Sequence, residues 1–507
     1  MIKYLKYPFF LIFTIIIYFF YFHNLGYENI NEDQYRWYLR SERFFTALNE
    51  LNFEGTYQQY HPGVSLMYFI KLGVETYKVT NSTNFQTFKE IPYYMFPLFN
   101  FYTKFFLVSF TLISIIVLTF LIKNLYGKFI SLSFLVFLTF ETYFIGLTRN
   151  LHMDAFLAVS ISISLVSFYL YLKTSEKKYL IISSVYSGLG LLTKSVFAIV
   201  ILFQFLMTLY FAINGKISFK PFKNLIYNLL ISFLIFTLFF PSMWVKPIET
   251  LSNIFIKGAY STGLGGDDNF MHFVGNYELT DPGFEFYIYV LNYRISPMLY
   301  LTIISLIVFW VFKIYKNKKI SLEKDPLIIF LALLTITYLM IIFYSSKKTD
   351  RYISIIFPPL AIITAYYLKD FWVKVQSNLF KTIFIFFTTF TMYLNFKIHP
   401  YYFAFYSPIW GGLEKAQEKI YINQGGIGYL LVVEAIKDYP DYKITAFNYD
   451  EFKYSSEKDV ERIDPTKARS KKYIKILPLQ RGNNLIKVGD FEKYIFLNEE
   501  PFWRIYK

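Results

Sequence analysis

What most constrains this chain is a series of apolar runs joined by polar connections. They lie near residues 8–22, 100–122, 129–147, 155–172, 179–193, 196–213, 223–243, 295–312, 327–344, 352–368 and 380–396. Each is close to the ~20 residues that a helix needs to cross a bilayer. One water-soluble core could not absorb them. Only 17% of the residues are charged and 22% are aromatic, whereas soluble domains carry about 25% charged residues. The fold class expected is an α-helical polytopic membrane protein with about 11 transmembrane helices. Lys3 and Lys6 precede the first run and no small-residue cleavage site follows it, so it reads as a retained span with its N-terminus in the cytoplasm.

The connections test that count. Alternate loops carry Lys123 and Lys128; Lys173, Lys177 and Lys178; Lys216, Lys220 and Lys223; Lys313, Lys316, Lys318, Lys319 and Lys324; and Lys369, Lys374 and Lys381. Every loop expected inside is therefore Lys-rich, as the positive-inside rule demands. A break at Lys194 must separate two spans, since omitting it would put the 313–324 loop outside. The net charge of +15 is explained by these loops without nucleic acid. The absence of cysteine excludes disulfides, thiolate nucleophiles and Cys-ligated metals.

On the opposite face the first outer loop, about 24–98, contains two stretches that read as interfacial amphipathic helices, Gln34–Leu51 and Val64–Tyr77. A middle outer loop spans about 244–294 and is Gly- and Asp-rich around Gly263–Asn269. The expected division is a membrane domain over 1–397 and an extracytoplasmic C-terminal domain over 398–507. Strand-like runs at Tyr473–Leu477 and Lys493–Leu497 mark the latter as a small soluble α/β domain.

The polar residues on the outer face are Asp33, His61, Arg149, His152, Asp154, Lys194, Arg294, Lys347, Lys348, Asp350 and Arg351. Cations there oppose the usual charge bias. Snorkelling accounts for any one of them; a shared anionic ligand such as a lipid phosphate accounts for all. Moving a sugar from a lipid phosphate to a hydroxyl needs a base for the acceptor proton and cations for the departing phosphate. Asp33 stands just beyond the first span, where such a base belongs, although it also fits a solvated loop. Asp154 opens the fourth span, where it also suits an N-cap. Asp267-Asp268, His272 and the Glu278/Asp281 pair lack metal-ligand spacing, so no metal is expected. Most outer-loop aromatics, such as Tyr35, Trp37, Tyr60 and Trp410, fit an interfacial belt.

At these residues the chain resembles the dolichyl-phosphate-mannose–protein mannosyltransferase family of the GT-C superfamily, to which the aminoarabinose lipid A transferases are related. The matching runs are Asp33-Gln34-Tyr35-Arg36-Trp37, Arg40-Ser41 and Tyr60-His61-Pro62-Gly63-Val64. In order there follow Arg149-Asn-Leu-His152-Met-Asp154, Thr193-Lys194, Tyr293-Arg294-Ile-Ser-Pro297, Lys348-Thr-Asp350-Arg351-Tyr352 and His399-Pro400. Gln34 stands where the family has Glu, with Glu32 on the other side of the base. Asn423-Gln-Gly-Gly stands where a Trp-Gly-Glu-Gly run is usual.

The resemblance implies a GT-C fold and an inverting glycosyltransferase, hexosyl- or pentosyl-transferring, at the plasma membrane. Asp33 would be the catalytic base. Arg351, Lys194 and Arg294 would hold the lipid phosphate, and His61, Arg149, His152 and Asp154 would shape the sugar and acceptor pockets. The implied partners are a polyprenyl-phosphate-linked sugar donor, a protein or glycolipid acceptor and the lipid bilayer, with no cofactor and no nucleic acid. An oligosaccharyltransferase-like or ligase-like enzyme using a lipid-pyrophosphate glycan, a polytopic transporter and a non-catalytic scaffold are the competing readings.

Overall fold

The computed structural model describes residues 2–506 except 32, 216–218, 261–282, 318–324, 375–377, 421–425, 440, 447–459, 463–472, 479–490 and 498–499. Glu32, the 263–269 loop, His272, Glu278, Asp281 and Asn423-Gln-Gly thus lie outside the described residues, as do Lys216, Lys318, Lys319 and Lys324.

All eleven apolar runs are helical. The first forms α1 (Ile2–Tyr21), and the outer loop then folds into α2 (Gln34–Asn49) and α3 (Val64–Thr80). Next come α4 (Phe96–Tyr126), α5 (Lys128–Thr139), α6 (Thr142–Arg149), α7 (Asp154–Thr174), α8 (Lys177–Thr193), α9 (Ile199–Asn214) and α10 (Lys220–Phe239). Two short turns, α11 (Ser242–Val245) and α12 (Pro247–Ser252), lead into the middle loop. Beyond it are α13 (Glu285–Arg294), α14 (Pro297–Asn317), α15 (Pro326–Tyr344), α16 (Phe357–Lys374) and α17 (Asn378–Ile398).

Among the described residues, six helices are long and apolar enough to cross a membrane, or up to eight if each of two bent pairs is one span. Part of the shortfall from eleven has a physical origin. The 129–147 run is broken into α5 and α6, which meet at a 67° bend, and α8 has 17 residues. The second bend, 112°, separates α13 from α14. One buried carboxylate joins both bends: Glu141, between α5 and α6, accepts from the Ser296 N–H at 2.8 Å and its hydroxyl at 2.6 Å. Each break thereby gives the other's freed backbone or side chain a partner, which makes a broken helix tolerable in a bilayer.

The core is centred on α7, almost wholly buried. It is tied to its neighbours by a polar ladder: Ser164 to Ser187 at 2.6 Å, Gln204 to Ser164 at 2.9 Å, Asn228 to Gln204 at 3.0 Å and Ser184 to Asn228 at 3.0 Å. Without a hydrophobic driving force between helices in lipid, such contacts fix which faces meet. At Lys194 the backbone is extended (φ −157°, ψ 141°) and a 3-10 turn over Ser195–Ala198 leads into α9, so the sequence break is a structural one. Gly190 makes the reversal possible, because the Phe197 ring occupies the space of a Cβ.

After α17 come α18 (Gly412–Ala416) and α19 (Tyr429–Ile436), then strands β1 (Lys443–Ala446), β2 (Val460–Arg462), β3 (Tyr473–Pro478), β4 (Phe491–Leu497) and β5 (Glu500–Tyr506). They form a mixed sheet in the order β2-β1-β3-β5-β4, with β1 parallel to β2 and β3 and antiparallel pairing in β3–β5 and β4–β5. Both runs read as strands in the sequence are strands. This region folds back onto the first outer loop: Gly428 N–H donates to Glu28 O at 2.7 Å, and Tyr429 OH to Gly26 O at 3.2 Å.

Candidate active site

Asp33 closes the N-terminus of α2, where Asn31 fixes it by accepting the Asp33 N–H at 2.9 Å. Asn31 is itself clamped to the turn between α6 and α7, donating to Asn150 Oδ1 at 3.0 Å and Leu151 O at 2.9 Å. That turn delivers His152 and Asp154. The result is one charge cluster drawn from four distant segments. Asp33 Oδ2 accepts from Arg351 Nη2 at 3.0 Å and lies 3.8 Å from His152 Nε2; His152 Nδ1 lies 2.8 Å from Asp154 Oδ2. Asp154 Oδ1 accepts from Lys194 Nζ at 3.2 Å, and its Oδ2 is 3.9 Å from Arg351 Nε. Lys194 also stands over the Tyr352 ring at 4.9 Å. Arg36 reaches Asp33 Oδ1 at 3.5 Å.

Asp33 retains 26% side-chain exposure, whereas Asp154 retains 4%. Of the two carboxylates, Asp33 is the one that an incoming hydroxyl can reach. Burial alone would raise its pKa, but the charges of Arg351 and His152 outweigh that and hold it below the usual carboxylate range. Burial pushes the His152 pKa down against the pull of Asp154. His61 borders the cluster: burial first, then Lys194 and Lys347, keep its pKa well below that of a free histidine, and among the described residues its Nδ1 has no hydrogen-bond partner. Arg40, over the Trp37 ring at 4.6 Å, adds another cation acting on Asp33. Among the described residues four cations (Arg36, Arg40, Lys194 and Arg351) thus act on two carboxylates, and Lys347 acts on His61 beside them. Such an excess suits an anionic ligand.

The histidine-proline-glycine run is an anchor of this site. Gly63 N–H donates to Thr193 O at 3.1 Å and Ser65 bonds the Thr193 hydroxyl at 2.7 Å, which joins the start of α3 to the residue before Lys194. Gly63 is left-handed (φ +59°), and a Cβ there would run into the Trp37 ring. Gly63→Ala is therefore expected to cost roughly 2–4 kcal/mol, combining the left-handed penalty with overpacking. Its thermal unfolding in detergent should be clearly lowered; an unchanged midpoint would refute this contact.

Two expected site residues prove to be placed otherwise. Arg294 is fully buried, and its hydrogen bonds go to residues other than Asp33, His152, Asp154 and Lys194. All five of its N–H donors are committed: two groups to Asp350, the rest to Phe403 O, Phe405 O and Tyr406 OH, with its plane 4.2 Å from the Tyr143 ring centroid and 3.8 Å from that of Tyr406. Arg149 is likewise buried, donating to Phe20 O at 2.9 Å and His23 O at 3.0 Å through its Nη groups, with its Nε 3.5 Å from Glu28. Lys104 approaches the same Glu28 at 3.3 Å. These two arginines brace the chain. Lys348 donates to Ser345 O at 2.7 Å. Gln34 points away from Asp33, donating to Asn100 Oδ1 at 2.7 Å and Tyr38 OH at 2.8 Å, so position 34 is here a packing position. Among the described residues no three His, Asp or Glu side chains are grouped to hold a metal ion.

Asn31, Glu28 and Lys104 carried no motif. Asn31 alone had a usable signal, an Asn two residues before a candidate base, where its side chain turns the backbone.

Residues 100–244 match the family model described as dolichyl-phosphate-mannose-protein mannosyltransferase. No curated protein matches the chain by sequence. The crystal structure of ArnT from Cupriavidus metallidurans in the apo state is similar with a TM-score of 0.54 at 9% identity, covering 99% of this chain and 98% of that one. The same protein bound to undecaprenyl phosphate gives 0.52 at 10% identity, covering 98% of each. An Archaeoglobus fulgidus oligosaccharyltransferase gives 0.47 at 11% identity over 89% of this chain and 63% of that one. The sequence match and the ArnT-like fold agree with the resemblance carried by the motifs, to a GT-C superfamily glycosyltransferase of the integral membrane.

Proposed function

We propose that this chain moves one sugar, with inversion, from a polyprenyl-phosphate-linked donor to a hydroxyl of a protein or glycolipid on the outer face of the plasma membrane. In this reading eleven spans put the N-terminus in the cytoplasm and make 398–507 an extracytoplasmic domain appended to a catalytic unit over 1–397. The observation that supports it is the Asp33 cluster, in which an accessible carboxylate lies among an excess of cations. That ArnT, which shares this fold, has been crystallised with undecaprenyl phosphate agrees with a donor of this class.

The acceptor oxygen attacks the anomeric carbon, the bond from that carbon to the phosphate oxygen breaks, and the acceptor proton passes to Asp33. Arg351 and Lys194, aided by Arg40 and Lys347, take up the charge of the leaving phosphate. In the donor-free chain Asp33 is a poor base, because Arg351 stabilises its charged form. A phosphate that shares Arg351 would relieve this, so donor arrival itself makes Asp33 more basic.

The test is transfer of label from a polyprenyl-phosphate sugar into protein or glycolipid by membranes carrying the chain. Substrate flux through reconstituted vesicles without any glycosyl transfer would sink the proposal. Transfer is expected to survive EDTA, measured in the same assay. The pH dependence follows from the sign of the Asp33 shift. A lowered carboxylate pKa keeps the group charged far into acid, so the acid limb of kcat/KM should lie below the ordinary carboxylate pKa of about 4. Arg351→Gln removes the main lowering charge and leaves the raising effect of burial. Its acid limb should move to higher pH, and an unmoved limb would separate Asp33 from the proton transfer.

A further inference from the structure

We propose that the first outer loop holds a second ligand site, a cleft between α2, α3 and residues 84–88 that is suited to a neutral saccharide. It encloses about 390 Å³, within the range of small-molecule sites. The helical period sets it apart from the Asp33 cluster. Arg36, Arg40 and Arg43 recur on one face of α2, whereas Tyr38, Glu42, Phe45 and Asn49 recur on another and line the cleft. The inference does not rest on the transferase reading.

The lining decides the ligand class. Half-buried Phe45 and Val74 provide apolar surface beside the buried Phe85, and Thr46, Asn49, Asn84 and Gln86 stand around it. The side chains of these four make no hydrogen bond among the described residues, so their donors and acceptors are available. Glu42 accepts the Phe88 N–H at 2.7 Å through Oε1, and among the described residues its Oε2 accepts no hydrogen bond. An anionic ligand finds little attraction here. Lys71 is paired with Glu75 at 2.7 Å, Lys78 stands over the Phe85 ring at 4.7 Å, and Glu42 balances that remaining cation. A lipid tail would leave the amides, the hydroxyl and the carboxylate oxygen desolvated without replacement. Apolar faces combined with a rim of hydroxyls that donate and accept is the chemistry of a sugar ring.

Saturation-transfer NMR of the full chain in detergent, with mannobiose and maltotriose as probes, tests this. Transfer to the ring protons of at least one probe is expected. It should fall five-fold or more in the Asn49→Ala/Asn84→Ala variant, whose changes lie at exposed positions, and persist in Asp33→Asn. Absence of transfer to either probe would overturn the proposal. So would loss in Asp33→Asn with retention in the double variant, which would put the sugar in the transferase site. Transfer from the chain to the alkyl tail of an alkyl maltoside, with none to its rings, would assign the cleft to lipid and overturn it too.

Discussion

Asp33→Asn should leave a chain that folds and enters the membrane normally but transfers sugar roughly 10²–10⁴-fold more slowly, the range over which general-base catalysis contributes. The amide keeps the volume of the carboxylate and an oxygen that accepts from Arg351, which now approaches Asp33 Oδ2 at 3.0 Å. Removing the charge is a modest structural perturbation, because the Asp33 side chain is 26% exposed and water can screen the cations around it. The informative comparison is with His152→Gln, which alters the link between the two carboxylates without removing the base and should cost less. Undiminished transfer of label by Asp33→Asn membranes would remove Asp33 as base.

Arg294→Met should show the opposite profile, a protein that is hard to recover rather than one that is intact and slow. The guanidinium is fully buried against Asp350, and its loss strands that carboxylate without its cation. Breaking a buried pair from one side costs about 3–5 kcal/mol, enough to lower the thermal midpoint in detergent substantially. The double variant Arg294→Met/Asp350→Leu removes both charges and should recover much of that loss, since paired apolar replacements are often neutral. Arg351→Met, next in sequence to Asp350, should instead unfold near the native midpoint and lose transfer. If the single Arg294 variant is as stable as the native chain and fails only in donor use, Arg294 belongs to the site after all.

The contrast between these two arginines marks the limit of what the chain reveals by itself. Apolar runs disclose helices, because lipid leaves a backbone few other options, and the break at Lys194 was visible through the lysines of the loops it orders. Asp33, His152, Asp154, Lys194 and Arg351 were legible as one set because their motifs fall on one face. Arg294 and Arg149 carry the same charge in the same motif series, yet each is neutralised by a pairing that the sequence does not disclose. Asp350 lies 56 residues from the first, and Glu28 sits in a loop otherwise read for catalysis. The bends at Glu141 and Ser296 were hidden for the same reason, since a contact across 155 residues leaves no local pattern. The cleft beside Glu42 escaped notice because amphipathicity shows that a helix has two faces, not that a space remains beside one of them.

The pairing of Asp33 with a residue 318 positions later also sets an order on biosynthesis. At about 5–20 residues per second, Asp33 would be outside the membrane for roughly 15–60 s before Arg351 leaves the ribosome. During that interval the emerging polypeptide lacks the cation that pairs with Asp33, however much of the bundle has inserted. On the proposed function, activity therefore waits at least for residue 351, and a chain aborted before it would be released without the cation expected to hold the phosphate of a lipid-linked sugar.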